Sequence, residues 1–254
     1  MPHKAIIIGG ICLGVVGLFV ALEAAFVKYN GKNVPAPNIP RQSVAQGQGP
    51  RLNYYVLGDS TAVAQGADYL QGVAIGTANQ LANNYAVTMT NLGVSGARTS
   101  DVASSQVDQI KTKPDLVMIL VGSNDVTHFT ANKSVETSLR SITDKLVNLN
   151  CDTKIVITGA AQMGAVPRFP QPLRLIAGWR SNQLNKTFRQ FSQTHNFTFA
   201  ELASKTGPTF KNNRSLFAQD NFHPNAQGYA VWTPVLAESL NDALVNQVSH
   251  CPQD

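Results

Sequence analysis

Two short stretches carry residue types that could do chemistry. Leu57-Gly58-Asp59-Ser60-Thr61 sets a serine hydroxyl straight after the apolar run Tyr54-Tyr55-Val56-Leu57. Such a serine is either a nucleophile or simply part of a turn, because glycine, aspartate and serine all favour turns for reasons unrelated to catalysis. Asp220-Asn221-Phe222-His223-Pro224 spaces a carboxylate and an imidazole three residues apart. One turn of chain could bring them together, and the carboxylate would then fix the tautomer of His223 and stabilise its protonated form. Read alone, Asp-x-x-His is equally a loop entering a helix, with Asn225 as its N-cap.

The elements that must position these residues follow an alternating pattern. Asn53–Leu57, Ala86–Leu92, Asp115–Val121, Lys154–Thr158 and Asn196–Leu202 read as strands, short and rich in Val, Ile, Tyr, Phe or Thr. Helical periodicity or start signals mark Ala67–Asn83, Thr99–Ile110, Ser134–Leu149, Leu173–Thr194 and a last helix over Ala226–Val248. Strand-helix alternation implies a parallel sheet with helices on both faces, since parallel neighbours need a crossover. In such a sheet, ligand sites form beyond the carboxyl ends of the strands. Ser60 follows the first strand, Asn91-Leu92-Gly93-Val94-Ser95-Gly96 ends the second, and Val121-Gly122-Ser123-Asn124-Asp125 ends the third. Three polar, glycine-containing turns therefore share one sheet edge.

With 254 residues and 43% hydrophobic content, the chain can bury a full core, in one domain once an N-terminal segment is set aside. The net charge is +5, but the lysines and arginines are scattered, which excludes a nucleic-acid-binding stripe. Residues 1–27 read as a transmembrane anchor or signal segment: from Ala5 to Leu22 the only ionisable side chain is Cys12. Leu22 and Glu23 occupy positions where a cleavage site needs small residues, which favours retention over removal. The flanking charges give no orientation. Residues 28–50, rich in Pro, Gly, Asn and Gln, read as a flexible linker, and 51–254 as the folded domain. That organisation implies an extracytoplasmic domain on a membrane anchor, or a secreted one if the segment is cleaved. Cys151 and Cys251 either pair or stay as buried thiols, and no Cys/His cluster has metal-ligand spacing.

The ordered set Gly58-Asp59-Ser60, Gly93, Gly122-Ser123-Asn124-Asp125 and Asp220-x-x-His223-Pro224 resembles the SGNH hydrolase superfamily, the GDSL-type esterases and lipases. The resemblance runs from Asn53 to the final helix. It implies a three-layer α/β/α sandwich around a central five-stranded parallel sheet, of flavodoxin-like type. It further implies Ser60 as nucleophile, His223 as base, Asp220 as its orienter, and an oxyanion hole from the Ser60 and Gly93 N–H groups with the Asn124 side chain. Those roles are chemically sound, because a serine hydroxyl needs a base, and His223 has an acid in its motif. Ala62 stands where an α/β-hydrolase elbow needs its second glycine, so that fold explains the sequence less well. No cofactor or metal is implied. Met163, Phe169 and Leu173 are candidates for an acyl pocket, or else pack a loop onto the domain. The expected activity is hydrolysis of acyl or acetyl esters, lipid-like or small, through an acyl-enzyme. Acetyl esterase or O-acyltransferase action on cell-envelope polysaccharide would use the same residues, and a binding module that has kept the fold is the outside alternative.

Overall fold

The structure is a computed structural model and describes Gly17, Glu23, residues 31–40, Gln42–Val44 and residues 47–252. The N-terminal helix expected within 1–27 lies outside the described residues, apart from Gly17 and Glu23. Among the described residues, no helix is long and apolar enough to cross a membrane.

Five strands run parallel: β2 (Arg51–Gly58), β3 (Ala86–Asn91), β4 (Leu116–Leu120), β5 (Lys154–Ile157) and β6 (Thr198–Phe199), in the order β3-β2-β4-β5-β6. Every residue of β4, Leu116-Val117-Met118-Ile119-Leu120, is buried. A parallel strand covered on both faces has no solvent side, which is why this stretch is apolar without alternation. Burying each such side chain is worth about 1.5–3 kcal/mol.

The helices are α1 (Val73–Leu81), α2 (Thr99–Asp101), α3 (Ser123–Thr127), α4 (Asn132–Leu149), α5 (Leu173–Thr194), α6 (Leu202–Asn212) and α7 (Ala226–Asn246). Past α2 the chain continues through a wider π turn, Val102–Gln106, and a 3-10 turn, Val107–Gln109. One group packs α1 and α6 against α7; the other packs α2 and α5 against α4.

Three expectations are corrected. The 28–50 segment contributes a sixth strand, β1 (Gln42–Val44), antiparallel to β3 with Gln42 opposite Thr90. The free edge of β3 offers unpaired backbone groups, and a short extended run suffices to meet them. The same segment touches the domain again where the Val34 carbonyl accepts from Gln65 Nε2 at 2.6 Å. The fifth parallel strand is only Thr198–Phe199, because α6 begins at Leu202; Gly207 and Pro208 hide that helix from its periodicity. Finally, α1 starts at Val73 instead of Ala67, since Gly66, Asp68 and Gly72 break the chain into turns.

Three buried carboxamides extend the backbone hydrogen bonding. Gln106 donates to the Gly58 carbonyl and accepts from its N–H, both at 2.8 Å. Asn185 does the same for Ala160 at 2.9 and 2.8 Å, and Gln247 for Ile155 at 2.9 and 2.7 Å. Each amide acts as an extra peptide unit beside a strand or its loop; the Gly58 carbonyl also accepts from the Val94 N–H at 3.0 Å. Of the two alternatives for the cysteines, the structure has the disulfide, with Cys151 and Cys251 100 residues apart.

From β2 the chain goes to β3 on one side and then crosses to β4 on the other. The loops after β2 and β4 therefore diverge, and the crevice between them is where such sheets bind ligands.

Candidate active site

Ser60 sits in the turn after β2, at that crevice. The turn is fastened by the Asp59 N–H, which donates to the Leu120 carbonyl of β4 at 3.0 Å, and by the Gln65 N–H, which donates to the Ser60 carbonyl at 2.9 Å. Asp59 Oδ1 accepts from the Thr61 N–H at 2.9 Å and the Thr61 hydroxyl at 2.7 Å. Burial pushes the Asp59 carboxyl up to about 6, against the pull of the two Thr61 bonds. Asp59 is thus a turn-closing residue.

Opposite lies the loop that enters α7. His223 Nε2 is 2.9 Å from Ser60 Oγ, and His223 Nδ1 is 2.6 Å from Asp220 Oδ2. The other oxygen, Asp220 Oδ1, accepts from the N–H groups of Phe222 at 3.0 Å and His223 at 3.1 Å. Burial disfavours the Asp220 charge, yet the hydrogen bonds from the imidazole and the two N–H groups outweigh it and hold the carboxyl below its ordinary value. An ionised carboxylate only accepts, so it selects the tautomer with hydrogen on Nδ1 and leaves Nε2 as acceptor for the Ser60 hydroxyl.

Local sequence explains this loop. Asn225 Oδ1 caps α7 by accepting from the Gly228 N–H at 3.0 Å, while Asn225 Nδ2 donates to the Ser215 carbonyl at 2.6 Å. The Ala218 N–H donates to the His223 carbonyl at 2.8 Å. Close approach of the two loops needs Gly66, at φ +102°, where a Cβ would come within 2.4 Å of the Pro224 carbonyl.

Asn124 is positioned by the same crevice. Its Nδ2 donates to the Ala97 carbonyl at 3.0 Å, which spends one of two hydrogens and leaves the other for the cavity beside Ser60. Asp125 Oδ2 accepts from the Thr99 N–H at 2.9 Å and hydroxyl at 2.8 Å, capping α2. The expected second backbone donor, Gly93, is corrected: its N–H donates to Asn91 Oδ1 at 3.0 Å. Gly96 lines the cavity with Ser60 and Asn124 instead. It occupies the third position of the turn closed by the Ala97 N–H and Val94 carbonyl, at φ +83°, a conformation that favours glycine. Among the described residues, the N–H groups of Ser60 and Gly96 have no hydrogen-bond partner.

Two spaces meet at Ser60, Asn124 and His223. One is a narrow, mostly apolar cavity of about 30 Å³, lined by Met163, Phe210 and Trp232 among others. The other is a wide cleft of about 540 Å³, lined by Phe169 and Leu173 among others. The three pocket candidates thus all border the site but divide between its two arms. Phe210, Phe217, Phe222 and Trp232 also line the site; Phe210 and Trp232 lie on helices, where an aromatic reads as core, and Phe222 lies inside the Asp220–His223 motif.

Fold and site together define an α/β protein with a hydrogen-bonded serine–histidine–aspartate array at the carboxyl edge of its sheet. The profile of the GDSL-like Lipase/Acylhydrolase family matches residues 56–231, and the chain belongs to that family. A GDSL-like esterase of Mycobacterium tuberculosis is 28% identical over 207 residues, which span 78% of this chain and 64% of that protein's length. The fold is similar to that of a catalytic mutant of an acetylxylan esterase from Geobacillus stearothermophilus, with TM-score 0.60, 18% identity, and coverage of 77% of this chain and 96% of the other. It is also similar to that of phospholipase A1 from Streptomyces albidoflavus, with TM-score 0.51, 18% identity, and coverage of 74% and 98%.

Proposed function

We propose that the protein is a serine ester hydrolase that works through an acyl-enzyme. The observation that carries this reading is the continuous chain from Ser60 Oγ to His223 Nε2 at 2.9 Å and from His223 Nδ1 to Asp220 at 2.6 Å. As Ser60 Oγ bonds to the ester carbonyl carbon, its proton passes to His223 Nε2, and Asp220 stabilises the imidazolium. Negative charge grows on the carbonyl oxygen, where the Ser60 and Gly96 N–H groups and Asn124 Nδ2 are the donors at hand. Removing one such donor typically costs about 3–4 kcal/mol of barrier lowering. His223 then gives its proton to the departing alcohol, and water attacks the acyl-enzyme by the same steps in reverse.

A second reading is favoured by the cleft. An opening of about 540 Å³, with Phe129, Phe169 and Leu173 as well as Asn33, Gln65 and Ser95 on its wall, has the width for a bulky partner. That suits an acetyl esterase on polysaccharide, or a transferase in which a sugar hydroxyl replaces water. An acetylxylan esterase and a phospholipase A1 share this fold, so fold alone leaves the substrate open. A binding module without activity is disfavoured by the intact array. We further propose that the domain works outside the cytoplasm, anchored or exported through residues 1–27, a reading that the Cys151–Cys251 disulfide supports.

Ser60→Ala tests the central claim. Wild type should hydrolyse p-nitrophenyl acetate and be labelled at Ser60 by a fluorophosphonate, and the variant should lose at least about a thousandfold in kcat and all labelling. Equal activity in both proteins would refute the reading.

A further inference from the structure

The two spaces at Ser60 differ in a way that assigns them to the two halves of an ester. After the first step the acyl group stays bonded to Ser60 Oγ while the alcohol departs and water enters. A narrow space suits the group that stays, and a wide one suits the group that leaves. The narrow cavity has the character of the former. Two of its polar side chains are bonded to backbone: Thr206 Oγ1 donates to the Leu202 carbonyl at 2.7 Å, and Ser123 Oγ accepts from the Ala161 N–H at 3.2 Å. Most of its wall is alkyl and aromatic surface.

Three aromatic residues of the cavity wall support one another. Phe210 packs edge-on against Phe217 at 5.2 Å and at a tilt against Trp232 at 5.6 Å between ring centroids. All three rings are buried. Gly207 leaves just enough space for the loop after β5, since a Cβ there would lie 2.9 Å from Gln162 Cβ. A water-sized group needs roughly 10–15 Å³ of such room. The cavity's 30 Å³ therefore admits about two carbons beyond the carbonyl.

We propose that this cavity is the acyl pocket and restricts the substrate to esters of short acyl groups, about two to three carbons, on a bulky alcohol held in the wide cleft, with Phe210 setting the depth. The assignment rests on the reading of Ser60 as nucleophile. The substrate class is then an acetate or propionate ester of a bulky alcohol, and a long-chain acyl group has no room in the narrow cavity.

The experiment is a chain-length series on the full chain with p-nitrophenyl acetate, butyrate and octanoate, for wild type, Phe210→Ala and Met163→Ala. Each methylene beyond the pocket's capacity should cost about tenfold or more in kcat/KM until the chain is displaced into the cleft. Wild type should accordingly favour acetate over octanoate by at least about a hundredfold. Either widened variant should raise the octanoate-to-acetate ratio by about tenfold or more. Met163→Ala keeps the test open if Phe210→Ala fails to give a cooperative melt. A flat wild-type profile with Ser60 still labelled by an ethyl fluorophosphonate would overturn the pocket and leave the nucleophile standing. An unchanged ratio in a folded, labelled variant would do the same. A wild type that is inert on every ester and unlabelled would overturn both.

Discussion

Asp59 and Asp220 are acids at one site with opposite couplings to folding. The Asp59 carboxyl is raised from 3.8 to about 6 by burial, so between those values the folded protein holds a proton that the unfolded chain has released. The stability tied to that proton is present below about pH 4 and is lost as pH rises to about 6. Asp220 has the other sign. Its carboxyl is held low by His223 and two N–H groups, so its contribution is present above the ordinary value of 3.8 and lost as pH falls through the lower folded value. The two windows are separate. Asp59→Asn keeps an oxygen for the Thr61 bonds but cannot ionise. The wild-type decline in unfolding free energy between pH 4 and 6, measured by urea denaturation, should flatten in that variant while the acid limb below pH 4 remains. An unchanged decline would show that Asp59 is not its source. At this scale most of the site was legible in the sequence, because Ser60, Asn124, Asp220 and His223 each sit in a short run that ends a strand or begins a helix. The choice between Gly93 and Gly96 was not legible. Both lie in the stretch Asn91–Gly96, and only folding shows that the Gly93 N–H is spent on Asn91 while Gly96 faces the cavity.

Among the elements, the run after α2 does more than cover the sheet. Its π turn, Val102–Gln106, brings Gln106 inward to bond both polar groups of the Gly58 peptide, two residues before Ser60. Insertions of this kind in helices often mark functional sites. Gln106→Ala would strand the Gly58 N–H in the interior and should cost about 2–3 kcal/mol of stability, read from the urea midpoint. It should also lower kcat by loosening the Ser60 turn. A loss under about 0.5 kcal/mol with full activity would mean that water replaces the amide without penalty. The alternation that revealed β2, β3, β4 and β5 works because those runs are buried on at least one face. It fails for β1, whose three residues carry no period, and for α6, where Gly207 and Pro208 interrupt a helix that packing against α7 sustains. Phe210 belongs to that unread helix, and this explains why the pocket wall could not be anticipated.

For the whole molecule, the disulfide and the C-terminal tail form one fastening. Cys251 is bonded to Cys151, the His250 N–H donates to the Cys151 carbonyl at 2.9 Å, and Gln247 bonds Ile155 four residues further along. In the chain-entropy account, closing a loop of this length stabilises the fold by about 4–5 kcal/mol. Protein isolated without reductant should therefore show no free thiol at Cys151 or Cys251 when titrated in denaturant. The intact chain should also fractionate with membranes or with exported protein. Two titratable thiols at these positions, together with recovery from a membrane-free cytosolic fraction, would defeat the extracytoplasmic reading.

Ser60 and His223 are 163 residues apart in sequence yet 2.9 Å apart in space. A ribosome adding about 5–20 residues per second finishes the serine roughly 8–30 s before it reaches the histidine. Throughout that interval the hydroxyl has no base, and the nascent chain is chemically silent towards the esters around it. Synthesis can thus proceed with an inert polypeptide, and the serine gains its base only when the loop before the last helix docks.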